Sequence, residues 1–72
     1  MKTEEIKINT PFITLDNALK LKNLVPSGGY GKLLIQDGMV SVNGEVCYMR
    51  GKKLRPGDVF CYENVTYEVK SK

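Results

Sequence analysis

Glu5-Ile6-Lys7-Ile8 sets charged and apolar residues in strict alternation, the pattern of a short strand with one buried face. Thr10-Pro11 then ends it, because proline has no N–H to give to a ladder. Beyond that point the period changes. Leu15, Ala18 and Leu19 recur at helical spacing, and Leu21 and Leu24 extend the apolar side. Thr14 is placed to cap a helix, and Asp16 suits the positive end of its dipole. A first helix is predicted over about Leu15 to Asn23. Pro26-Ser27 opens a second, with Ser27 as N-cap, Tyr30, Leu33 and Leu34 as the buried face and Ile35 on its flank. Gly38 follows the last periodic residues, as a left-handed C-cap would. The glycines of the first turn, Gly28, Gly29 and Gly31, oppose this helix, each by up to about 1 kcal/mol relative to alanine.

From Met39 the period falls to 2. Val40 and Val42 share a face, Asn43-Gly44 is a strong type I′ hairpin signal, and Val46 begins the return strand. Residues 50–55 form a basic connection, and Pro56-Gly57 fits the centre of a type II turn. Val59 to Tyr62 and Val65 to Val69 read as a closing hairpin around Glu63-Asn64. The order is strand, two helices, then a small, mostly antiparallel sheet, an α+β class.

Seventy-two residues leave room for one domain, taken as 1–72, with an ordinary globular composition. The two cysteines, Cys47 and Cys61, and the absence of histidine cannot close a four-ligand zinc site. So few cysteines in so small a chain point to reduced thiols and a cytoplasmic location. No run approaches a membrane span or a signal peptide. Asp16, Asp37 and Asp58 stand at expected helix ends and turns, so capping explains them better than acid–base work. The expectation is a protein without catalytic residues, metal, cofactor or small-molecule substrate.

Three blocks of the chain resemble the S-four RNA-binding domain, the alpha-L motif. Leu15-Asp16 with Leu19 is similar to its opening helix. The run from Leu34 through Gly38 and Asn43-Gly44 to Val46 is similar to its helix-to-hairpin core, and Leu54-Arg55-Pro56-Gly57-Asp58-Val59 to its closing turn. The likeness covers Thr14 to Phe60 without a gap and is nearest to the short stand-alone YaaA/YbcJ-type members. It implies two packed helices against a small sheet, with RNA on a basic face. Lys32, Lys53 and Arg55 fall on basic positions of the family, whereas Thr14, Asn17 and Gly28 are neutral where the family is usually basic.

The net charge is only +3, so its distribution matters more than its size. Arg50, Lys52, Lys53 and Arg55 fall within six residues, with no acid between Val46 and Gly57. With Lys32, and Lys20 and Lys22 at the margin, they form the expected phosphate-binding set. Glu4 and Glu5 are expected off that face. Gly28 and Gly29 would let a phosphate approach bare N–H groups at a helix start. The spacing of Ser27-Gly28-Gly29-Tyr30-Gly31-Lys32 is not that of a Walker loop, and the alternative reading of its small residues is close packing of the two helices. Of the aromatics Phe12, Tyr30, Tyr48, Phe60, Tyr62 and Tyr67, most at strand spacing are more often core, and Tyr30 and Tyr48 are the candidates for stacking on bases. The expected partner is structured RNA, ribosomal or transfer, bound by a monomer without a membrane. The alternative is a protein-interaction module docking an acidic partner with the same fold.

Overall fold

The N–H groups of the first helical turn show how the chain is held together. Leu15 N–H donates to the Lys52 carbonyl at 2.9 Å and Asp16 N–H to the Arg50 carbonyl at 3.1 Å, while Asn17 N–H donates to Asp16 Oδ1 at 2.8 Å. Three of the four orphan donors of a helix start are thereby satisfied. Thr14 occupies the N-cap position, but its hydroxyl donates to Asp16 Oδ1 at 2.7 Å and accepts no backbone N–H. The expected side-chain cap is thus replaced by carbonyls of the basic connection 35 residues on, counted from Leu15 to Arg50.

The computed structural model describes residues 2–26 and 28–72, so the expected cap at Ser27 lies outside the described residues. In order come β1 (Lys2–Ile8), β2 (Ile13–Thr14), α1 (Leu15–Leu21), α2 (Gly28–Gln36), β3 (Val40–Val42), β4 (Glu45–Val46), β5 (Lys53–Leu54), β6 (Val59–Tyr62) and β7 (Val65–Ser71). Five strands form one sheet in the order β1-β7-β6-β3-β4, and β2 pairs with β5 in a separate ladder. The sheet is larger than the small one expected from the sequence. Three of its pairings are antiparallel, but β1 runs parallel to β7 in the register Ile6↔Val69 and Ile8↔Ser71. No local pattern encodes this, because the two partners lie at opposite ends of the chain.

Both helices end in the same way. Asn23, at φ 58°, donates to the Lys20 carbonyl, and Leu24 N–H reaches back to Leu19. Gly38, at φ 77°, donates to Ile35, and Met39 N–H reaches Leu34. Each is a Schellman closure with a left-handed residue at its centre. The first helix therefore stops at Leu21, two residues short of the expected end. Asn43 and Gly44 have φ 51° and 89°, and Glu63 and Asn64 have φ 51° and 66°, as type I′ hairpins require. Asp58 N–H donates to Arg55 across Pro56-Gly57, with Gly57 at φ 102°, which is the type II turn.

The buried apolar residues form one cluster, from Ile6 and Ile8 of β1 through Leu15, Ala18 and Leu19 of α1 and Ile35 of α2 to Phe60, Tyr67 and Val69. Leu21 lies outside it, 55% exposed, correcting its assignment to the apolar face. In α2 the phase is also shifted. Ile35 is fully buried and Gly31 is buried, whereas Tyr30 and Leu33 are 49% and 58% exposed. Gly31 carries no hydrophobic signal, so the periodicity was set by its larger neighbours one step around the helix. Its position faces Val25, Leu19 and the start of α1. An added Cβ would lie 3.6 Å from Val25 Cγ2, 3.8 Å from Leu19 Cδ1 and 3.9 Å from the Asp16 carbonyl oxygen, ordinary contact distances. Gly31→Ala should therefore raise stability by about 0.5–1 kcal/mol through the lower entropy of the unfolded chain. Urea unfolding followed by circular dichroism measures it; a lower midpoint would mean that the two helices are packed more tightly than these distances allow.

Candidate nucleic-acid interface

The pairing of β2 with β5 sets Thr14 opposite Lys53 and Ile13 opposite Leu54. Leu54 is fully buried, so it roots the basic connection in the core while its neighbours Lys53 and Arg55 stay exposed. Lys52 N–H donates to the Met49 carbonyl at 3.2 Å, closing a turn that presents Arg50 and Gly51. Arg55 N–H donates to Asp58 Oδ2 at 2.8 Å, so that carboxylate holds the turn rather than an arginine side chain. Asp16 is likewise engaged with Thr14 and Asn17. Both aspartates do turn and helix-start work, in line with the expectation for them.

The structure brings three backbone segments together: the start of α1, the early part of α2 at Gly31, and residues 50–54. Lys20, Arg50, Lys52, Lys53 and Arg55 are exposed, and Lys32 is half-buried. Among the described residues, no carboxylate lies within ion-pair distance of any of these six. Charges left without counter-ions keep their full attraction for a polyanion. Gly29 is exposed in the first turn of α2, which begins at Gly28.

Two candidates stand apart from this group. Lys22 is 3.1 Å from Glu4 of β1 and lies over the Tyr67 ring, 5.9 Å from its centroid. That pairing holds the Glu4 carboxyl below the ordinary value of 4.5. Glu5 is lowered similarly by Lys70, at 2.8 Å, on the strand-bearing side. Tyr30 acts on a different neighbour. It contributes to the raised pKa of Tyr62 in β6, behind burial of that phenol and the effect of Glu63.

Tyr48 is 63% exposed beside Met49 and Arg50. Its ring lies against Gly38, where a Cβ would meet Tyr48 Cε1 at 3.3 Å. The glycine thus serves both the helix end and the seat of that ring. Phe60 and Tyr67 are core residues, stacked with centroids 4.9 Å apart. Phe12, not among the stacking candidates from the sequence, is at the surface, 37% exposed, with Lys53 Nζ 5.0 Å from its ring centroid. The available signal was its position: it directly follows Pro11, outside both the strand period and the helix period.

A five-stranded mixed sheet thus shares its core with two helices, and a basic connection is fastened to the first of them; the comparison with known families assigns such a chain to the S4 domain, an RNA-binding family. The S4 domain sequence pattern matches residues 6–70, and the chain belongs to this family. It is also 44% identical, over 54 residues, to a probable ribosome maturation protein, RlbA, of Bacillus subtilis (strain 168). The alignment covers 75% of this chain and 76% of that relative. No helix among the described residues is long and apolar enough to cross a membrane.

Proposed function

We propose that this protein is a non-catalytic binder of structured ribosomal RNA that acts during maturation of a ribosomal particle. Lys20, Lys32, Arg50, Lys52, Lys53 and Arg55, with the start of α2 at Gly28 and Gly29, form the face on which about three to five phosphates are neutralised. The carrying observation is the pair of hydrogen bonds from Leu15 and Asp16 to the carbonyls of Lys52 and Arg50, which fixes a loop of unpaired cations against a helix. A basic loop tethered in this way loses less entropy on binding than a free one. Membership of the S4 family and the likeness to a probable ribosome maturation protein of Bacillus subtilis support RNA, and ribosomal RNA in particular, as the ligand. Lys22 contributes little, because Glu4 already neutralises it.

Each phosphate contact releases counter-ions, so three to five contacts should give a log–log slope of about −2 to −4.5 for the binding constant against salt. A salt titration of a labelled ribosomal RNA hairpin by fluorescence anisotropy measures the slope. No binding at micromolar protein in low salt would remove RNA as the ligand and leave an acidic protein partner for the same face.

A further inference from the structure

One groove lies beside the phosphate-binding group without being explained by it. It runs between α1 and the segment joining β1 to β2, is open to solvent along one side, and offers about 630 Å3 of space, within the range of small-molecule sites. Its apolar lining comes from Phe12, Ile13 and Leu21, and its polar lining includes Asn17, Lys20 and Asn23. Among the described residues no carboxylate lines it. Two of the lining residues, Phe12 and Leu21, are large apolar side chains that the core leaves at the surface. Lys53 stands over the Phe12 ring.

We propose that this groove holds a single unpaired nucleobase of the bound RNA, stacked on Phe12, an inference that rests on the RNA reading above. A base presents a flat π-face, a polar edge and a flanking phosphate on each side. The groove offers the Phe12 ring with Leu21 for the face, the Asn17 and Asn23 amides for the edge and Lys20 for one phosphate, and Lys53, outside the lining but over the Phe12 ring, stands ready for the other. A purely apolar ligand would leave both cations and both amides unused. The surrounding surplus of positive charge favours an occupant that carries negative charge. Ring stacking is indifferent to base identity, so the groove selects unpaired over paired nucleotides more than one base over another.

The test compares two labelled hairpins, one fully paired and one identical except for a single bulged 2-aminopurine. Wild-type protein should quench the 2-aminopurine and bind the bulged hairpin roughly five- to a hundredfold more tightly. Phe12→Ala should abolish both the quenching and the preference while binding the paired hairpin within a few-fold of wild type. Leu21 is more than half exposed, so Leu21→Ser tests the same groove with little effect on folding and should weaken the preference. Equal binding of the two hairpins by wild type, without quenching, would overturn the inference and leave the phosphate contacts standing, with the groove free for a protein side chain. Failure to bind either hairpin would overturn both readings.

Discussion

Alanine at both Lys52 and Lys53 should flatten the salt dependence of RNA binding by about 1.5 in log–log slope, two contacts at 0.7–0.9 each. At 0.1 M salt the same two contacts account for roughly 1.5 decades of affinity, so binding should weaken about thirtyfold. Paired hairpins of different sequence should suffer alike, because phosphate contacts carry no sequence information. The substitution leaves the fold nearly intact. The Lys52 carbonyl that caps α1 belongs to the backbone, and both side chains are exposed. Only the Lys53 contact with Phe12 is lost, worth about 0.5–1 kcal/mol at such a site. Anisotropy titrations at four or five salt concentrations give slope and affinity together. An unchanged slope with reduced affinity would mean that the two lysines act through the position of Phe12 rather than on phosphates.

Phe60→Ala should remove a large part of the stability of the domain. Phe60 is 1% exposed, stacks on Tyr67 at an interplanar angle of 19°, and sits in β6 between β7 and β3. Truncating a buried phenylalanine costs about 3–5 kcal/mol, against a total of roughly 4–11 kcal/mol for a chain of this length. The midpoint of urea unfolding should fall steeply, and the variant should be partly unfolded at 37 °C. Leu33→Ala is the matched control. Leu33 is large and apolar but 58% exposed, so its truncation should stay within about 0.5 kcal/mol. A larger loss at Leu33 than at Phe60 would mean that α2 buries the face the sequence suggested and not the one at Gly31 and Ile35.

Much of the local structure was legible in the chain. The hairpin at Asn43-Gly44, the turn at Pro56-Gly57 and the helix end at Gly38 each depend on a residue that tolerates positive φ or on the fixed φ of proline. Such constraints act within four residues, so the sequence alone decides them. The period-2 segments at β3, β6 and β7 were visible for the same reason, and so was the clustering of Arg50, Lys52, Lys53 and Arg55.

Other features exist only because distant segments meet. The parallel pairing of β1 with β7 joins residues more than 60 positions apart, and a hydrogen-bond ladder leaves no trace in composition. Thr14 looked like a helix cap, but the Lys52 and Arg50 carbonyls took the donors first, and its hydroxyl turned to Asp16. Gly31 was read as costly to α2, with close helix packing as the alternative for the glycines; the fold decides for packing at Gly31, which lies on the side where α2 meets α1. Lys22 and Lys20 were indistinguishable by charge until the fold set one against Glu4 and the other on the groove. The residues carry the charge and the turn propensities, but which cations are paired, as Lys22 is with Glu4, is decided by contacts that only the folded chain can make.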